Sequence, residues 1–320
     1  MSRPSLTTAS QSDVGRVRTR NEDSFGEFSR PDGSKLWVVA DGMGGHRAGE
    51  TASRLTVETV GEVFSRAPTP SEDALREALE AANARVHELA VENPEFSGMG
   101  TTAVVLLLAA DSTGFVAHVG DSRLYRYRDA ALRPLTRDHS VVAELERRGL
   151  LTADEAAVHP RRNEIIRSVG IEATVDVEIA PLEIRPGDRY LLCSDGLSGM
   201  VDETEIAVIL DEAEPAEAAR RLIERANEHG GQDNVTVQVV AVWPPAPADI
   251  EAAASEPAHE AARKPAATSR APDRGRRARR RTLMFVAAAV AALLAVILMW
   301  RLQAATPAPP PADPAHSGSR

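Results

Sequence analysis

The sequence predicts an α+β domain of antiparallel strands and amphipathic helices, followed by a separate membrane segment, and three observations carry that prediction. Short apolar runs recur between residues 36 and 242, several of them ended abruptly by an aspartate and a glycine turn. Stretches of helical period lie between those runs. One pair of runs is joined only by Arg128-Asp129-Ala130, too short a connection for a crossover, so those strands must be antiparallel. At 320 residues and 43% hydrophobic, the chain has enough apolar material for a core.

Residues 1–10 are a polar lead, expected to be disordered. R-x-x-N-E-D follows, with Arg18, Asn21, Glu22 and Asp23, and reads as a charged loop. Its Arg18 suits bidentate binding of phosphate, and its Glu22 suits steering of metal-bound water. The turn Pro31-Asp32-Gly33-Ser34 leads into the apolar run 36–40, which stops at Asp41-Gly42-Met43-Gly44-Gly45. A strand here delivers the Asp41 carboxylate to the edge of the core. The glycines permit positive φ and leave bare backbone, carbonyl oxygens included, beside whatever binds. By itself the motif is weak, since Asp-Gly after a strand is also an ordinary turn.

From Arg47 the pattern is helical, with Ala48, Ala52, Leu55, Thr59 and Val63 in one stripe. Thr69-Pro70-Ser71-Glu72 reads as a capping box with Pro in the first helical position, opening a second helix through Leu75, Leu79, Ala82, Val86 and Leu89. Gly98-Met99-Gly100-Thr101-Thr102 then feeds a buried strand. A strand over 115–119 ends in Gly120-Asp121-Ser122-Arg123, and the next covers 124–127. Short helices are expected over 138–148 and 152–158, with His139 and His159 as helix-end or surface histidines. Residues 165–170 return to a buried segment. Strands follow at 175–179 and 190–193, the second carrying the only cysteine, Cys193, as a core residue and delivering Ser194-Asp195-Gly196. Asp202 starts an acidic-ended helix, 215–229 forms another, and Gly231-Gln232-Asp233-Asn234 precedes a last strand over 235–242.

Charge divides the chain into two objects. Residues 1–243 hold 26 Lys and Arg against 41 Asp and Glu, a net of −15, whereas the remaining 77 residues hold 11 against 6, a net of +5. The acidic part disfavours nucleic acid as a partner. Residues 244–281 are rich in Pro, Ala and charge, a linker that ends in an arginine cluster. Residues 282–300 then run 19 positions without a charge, about 28 Å as a helix at ~1.5 Å per residue, which matches a bilayer core. The expectation is a single transmembrane helix, with the arginines and the 11–243 domain on the cytoplasmic side and 301–320 as an extracytoplasmic tail. A lone cysteine and an N-terminus without the apolar core of a secretion signal agree with a reducing compartment.

Asp41, Asp121, Asp195 and Asp233 all stand at strand boundaries. Carboxylates with no companion His or Cys make an oxygen-only site suited to Mg or Mn, and hard cations point to phosphate chemistry. Two such ions could share a bridging hydroxide and stabilise the attacking and leaving oxygens of an in-line displacement.

R-x-x-N-E-D, DGMGGH, G-M-G-T-T, VGDSR, SDG and GGQDN, in this order over about 11–242, together resemble the metal-dependent protein serine/threonine phosphatases of type 2C, bacterial and membrane-anchored. The resemblance implies a β-sandwich of two antiparallel sheets flanked by helices on both faces, with a two-metal centre at one end. It also implies that Asp41 bridges both ions, that the Gly42 carbonyl binds one, and that Asp195 and Asp233 complete the other. Asp121 helps hold a weaker third ion, Glu22 acts through metal-bound water, and Arg18 binds phosphate. The implied cofactor is Mn or Mg, two per site with a possible third. The implied partners are phosphorylated proteins, among them a serine/threonine kinase and its substrates, met by a monomeric catalytic domain. Residues 138–162 resemble the variable flap beside the site. One departure stands out: eukaryotic relatives carry a histidine, proposed as general acid, where this chain has Met43, and His46 is not the same position. The alternatives are a catalytically silent, membrane-tethered interaction module of the same fold and a metal-dependent nuclease. The full acidic set speaks against the first and the acidic domain against the second.

Overall fold

The computed structural model describes residues 5–45, 47–111 and 113–244. Two antiparallel sheets stack face to face. One has the order β1 (Ser5–Asp13), β11 (Val235–Trp243), β10 (Arg189–Cys193), β7 (Arg123–Arg128), β8 (Ala131–Pro134). The other runs β2 (Asp23–Ser29), β3 (Lys35–Met43), β5 (Ala103–Leu108), β6 (Thr113–Val119), β9 (Glu178–Glu183), with the two-residue β4 (Gly100–Thr101) paired to the end of β3.

Strand periodicity builds three cores. In β3, Trp37 and Val39 point between the sheets and meet Leu106, Tyr190, Leu192 and Val240, while Leu36, Val38 and Ala40 point outward. The outward set packs against α1 (Arg47–Arg66) and α2 (Glu72–Glu92). In β10, Tyr190 and Leu192 face the other sheet, and Leu191 and Cys193 pack beneath α6 (Glu203–Glu212) and α7 (Pro215–Glu228). Central strands covered on both faces have no polar side to show, which is why they read as continuous apolar runs. Each buried Leu or Val in these layers contributes roughly 1.5–3 kcal/mol relative to exposure. The result is the helix-flanked sandwich that the motifs imply.

Several boundaries differ from the sequence reading. The lead is not disordered over residues 5–10: β1 pairs along its whole length with β11, from Ser5 opposite Trp243 to Asp13 opposite Val235. Its polar side chains disguised it. Between the sheets they are matched by other polar groups, Ser12 to Thr236 at 2.7 Å and Gln238 to Ser10 at 3.1 Å. The cap of α2 is Ser71, whose Oγ accepts from the Ala74 N–H at 3.2 Å, so Pro70 lies before the helix and not in its first turn. The strand expected over 175–179 is β9, displaced toward Glu183. Of the two histidines expected at helix ends or on the surface, His139 directly precedes the Ser140 cap of α3 (Val141–Arg147) but is buried at 6% exposure, and His159 ends the short α4 (Ala153–Val158). No described helix is long and apolar enough to cross a membrane. The linker, the apolar segment 282–300 and the tail lie outside the described residues.

Candidate metal centre

Asp23 opens β2 and Asp41 nears the end of β3, and the antiparallel register sets them directly opposite each other. From the second sheet, Asp195 begins the short helix α5 (Asp195–Ser198) right after β10, and Asp233 stands just before β11. Asp121 follows the end of β6. All seven residues named from the sequence, Arg18, Glu22, Asp41, Gly42, Asp121, Asp195 and Asp233, line one cavity of about 300 Å³. An adjoining cavity of about 400 Å³ shares Asp121, Asn163 and Asp195 and extends under α3 (Val141–Arg147) and α4, the region read as a flap.

The motif residues that carry no charge hold this rim in place. The Asp41 N–H donates to Thr102 Oγ1 at 2.9 Å, and the Asp41 carbonyl accepts from Thr101 Oγ1 at 2.7 Å and from the Thr102 N–H at 2.9 Å. Asn234 pins the loop before β2: its Nδ2 donates to the carbonyls of Val14 and Arg20, and its Oδ1 accepts the Glu22 N–H at 2.8 Å. A Cβ on Gly42 would collide with the carbonyls of Gly49 and Glu22, and one on Gly196 would strike the Asn234 carbonyl. Those two glycines are required by close backbone approach, whereas Gly44 and Gly45 supply the positive φ of the turn.

The electrostatics of the rim are those of crowded acids. Among the described residues, five acids line the cavity (Glu22, Asp41, Asp121, Asp195, Asp233) against one cation, Arg18, which donates to Asp233 Oδ2 at 2.7 Å. Burial, then repulsion from Asp23, Asp195, Asp121 and Asp233, pushes the Asp41 carboxyl well above the usual range. Burial and the charge of Asp195 raise Asp121 to about 7. Asp195 is raised by burial and by Asp233, and a hydrogen bond shared with Asp41 offsets part of that rise.

Asp23, which the sequence reading left without a role, belongs to the same cluster. Burial lifts it to about 7 even though Ser194 Oγ donates to its Oδ2 at 2.8 Å, and its Oδ1 is buried with no hydrogen-bond partner. Only the cross-strand register could have revealed it, because β2 is an edge strand of mixed pattern.

Half-buried carboxylates that converge on one cavity repel one another, and ionising all of them calls for compensating positive charge. An oxygen-only donor set with an orphaned buried oxygen fits Mg or Mn. Met43 also lines the cavity, and no histidine does among the described residues; His46 lies outside them.

A second group of ligand type, His118, His139 and Glu178, has donor atoms within 4.8 Å of one another. Its geometry is wrong for an ion. The two imidazoles are stacked at 4.5 Å with planes 16° apart, and an ion must lie near the plane of each ring that binds it, so near-parallel stacked planes do not meet at one metal.

The chain matches the family described as protein phosphatase 2C over residues 15–239. It is 39% identical over 236 residues to the serine/threonine phosphatase stp of Listeria monocytogenes, covering 72% of this chain and 93% of that one. The S. agalactiae serine/threonine phosphatase structure superposes with a TM-score of 0.71 at 35% identity, covering 74% of this chain and 100% of the other. The catalytic domain of the serine threonine protein phosphatase PstP, in complex with 2 manganese ions, gives 0.66 at 39% identity, covering 75% and 99%. Fold, motif order and sequence agree: the chain belongs to the protein phosphatase 2C family and is a protein-serine/threonine phosphatase.

Proposed function

We propose that hydrolysis of phosphoserine and phosphothreonine in proteins takes place in the carboxylate cavity, with Asp41, Gly42, Asp195 and Asp233 holding two Mn or Mg ions and Asp121 helping to hold a weaker third. The observation that carries this reading is the convergence of five acids and a single arginine on one cavity. When bound, such ions supply positive charge for the phosphoryl oxygens and lower the pKa of water. The pair of manganese ions in the PstP structure supports the count.

The chain's own residues do the rest. Arg18, paired with Asp233 at 2.7 Å on the cavity wall, would clamp a phosphate bidentately with its guanidinium fork. Glu22, whose N–H is held by Asn234, orients the attacking water. The water oxygen bonds to phosphorus as the bond to the serine or threonine oxygen breaks; the attacking water gives up its proton to solvent, and the leaving alkoxide takes one proton back. Met43 has no proton to give, so the leaving oxygen is protonated from solvent in the open cavity. The adjoining cavity under α3 and α4 suits the residues flanking the phosphorylated side chain, and substrate choice is assigned there.

Residues 282–300 and the preceding arginines support tethering of this domain at the cytoplasmic face of a membrane, close to phosphoproteins made by a serine/threonine kinase. The catalytic test is release of phosphate from a phosphothreonine peptide by the full chain: activity is expected with Mn, lost in EDTA and restored by Mn. Full activity in a metal-stripped sample would overturn the metal-centre reading. For the tether, protease added outside intact cells should spare the catalytic domain, and its digestion would reverse the orientation.

A further inference from the structure

The His118, His139 and Glu178 group, set aside as a metal site, has a different chemistry written into its hydrogen bonds. Gly120 and His139 are doubly tied: the His139 N–H donates to the Gly120 carbonyl at 3.0 Å, and the Gly120 N–H donates to His139 Nδ1 at 3.2 Å. The second bond fixes the tautomer. A nitrogen that accepts a backbone N–H carries no proton, so the proton of neutral His139 sits on Nε2, which faces Glu178 Oε2 at 3.3 Å. His118, stacked on it, has its own Nε2 against the Arg137 carbonyl at 2.8 Å. Burial holds both imidazoles below their usual pKa, in keeping with two neutral rings.

The tie falls one residue before Asp121. Gly120 has φ +102 and packs against the Thr102 side chain, so the turn that aims Asp121 into the cavity has little room to choose another path. The same turn is held farther on by Arg123, which donates to both oxygens of Asp138 at 2.9 and 2.7 Å. Residue 139 also reaches the far wall, because its carbonyl accepts the Ile166 N–H at 2.8 Å.

We propose that His139 is a positioning residue for Asp121: its unprotonated Nδ1, by accepting the Gly120 N–H, sets the turn that presents the Asp121 carboxylate to the cavity. The proposal rests on the reading of that cavity as the metal centre. The ring's other nitrogen and its contact with Glu178 are secondary.

Two substitutions separate the nitrogens. In His139→Asn the amide oxygen can stand where Nδ1 stands and accept the Gly120 N–H, whereas His139→Gln reaches toward the Nε2 position and leaves that N–H unmet. For the full chain, His139→Gln is expected to raise the Mn concentration needed for half-maximal phosphopeptide turnover about fivefold to tenfold, with tight Mn binding by calorimetry unchanged. His139→Asn should stay within about twofold of the parent chain. Gly120 amide exchange, followed by NMR in EDTA, should be slow in the parent and the Asn variant and fast in the Gln variant. The parent's His139 should show the Nε2–H tautomer in nitrogen-15 spectra, which needs no variant to fold.

An Nδ1–H tautomer, rescue by Gln in place of Asn, or equal behaviour of the two variants would overturn the proposal. Absence of any Mn requirement in the parent would instead remove the metal-centre reading. The tautomer and the Gly120 exchange would still decide whether His139 holds the turn.

Discussion

Strand β10 has an aspartate at each end, Asp188 buried and Asp195 half-buried on the cavity wall, and the two are treated in opposite ways. Asp188, just before the strand, is 1% exposed yet fully served: Arg128 donates to both of its oxygens at 2.5 and 2.7 Å, Tyr190 OH donates at 2.7 Å, and the Arg185 N–H at 2.8 Å. Burial works to raise its pKa, but those bonds outweigh it and hold the carboxyl below the usual range. Asp195, just after the strand, has other acids for neighbours and is raised. A buried acid that the protein satisfies is part of the scaffold; one left among its own kind marks a place where the protein expects a cation from outside.

The largest effect should come from the crowded end. Asp41→Asn removes the charge that two dications would share, and turnover is expected to fall about 10³-fold or more, roughly 4 kcal/mol of barrier. The metal-free variant should fold as well as the parent, or better, because one repelling charge is gone. Retention of both tight Mn sites in a calorimetric titration, together with normal turnover, would mean that Asp41 is not the shared ligand. Asp188→Asn should do the reverse. It takes the main countercharge from the half-buried Arg128 guanidinium, leaving only Glu183 at 3.8 Å, and is expected to destabilise the fold by about 2 kcal/mol, while the molecules that remain folded keep their Mn-dependent turnover. Denaturant unfolding alongside activity per folded molecule would show it, and a turnover loss without a stability loss would erase the contrast between the two ends.

That contrast is invisible in the sequence. Asp188 in Arg185-Pro186-Gly187-Asp188 and Asp195 in Ser194-Asp195-Gly196 are both turn aspartates at a strand boundary, and what separates them is Arg128, which arrives from another strand. The strand-end acids could be read because an apolar run, an aspartate and a glycine form a local pattern, and several copies of it implied a common rim. Strands covered on both faces were readable for the same local reason. Features made by partners far along the chain were not. β1 is polar and owes its order to β11, more than 200 residues away. Asp23 joins the site only through its register with Asp41, and His139 is buried by β6 and β9, which no short window contains.

A smaller effect tests whether the cavity has graded parts. Asp121→Asn should leave the two-metal pair assembled and lower turnover about tenfold, roughly 1.4 kcal/mol, as the weak third site is lost. Tight Mn binding and phosphopeptide binding should survive. If the tight sites disappear as well, Asp121 belongs to the primary pair, and the division between Asp41 and Asp121 is wrong.

The smallest effect is a slope, and it carries the comparison into pH. Asp188 has a folded pKa below its unfolded value, so its contribution is present above about pH 4 and is lost as pH falls through the folded pKa. The crowded acids, those lining the cavity together with Asp23 opposite Asp41, have the opposite sign. With folded values raised, to about 7 for Asp23 and Asp121, the folded state binds more protons than the unfolded chain between about pH 4 and 7, so stability falls as pH rises through that window. In EDTA, the melting free energy should therefore decline on the order of 1 kcal/mol per pH unit near pH 7, then flatten once the folded carboxyls have ionised. Saturating Mn should abolish the decline, because bound cations keep the same carboxyls ionised in the folded state. Asp195→Asn should shallow the slope in EDTA by removing one repelling charge, and Asp188→Asn should lower the whole curve without changing its slope near pH 7. Thermal melts across pH 5.5 to 8.5 on these proteins would measure it: a flat profile in EDTA would mean that the rim acids are not crowded in solution, and the distinction between the two ends of β10 would fall with it.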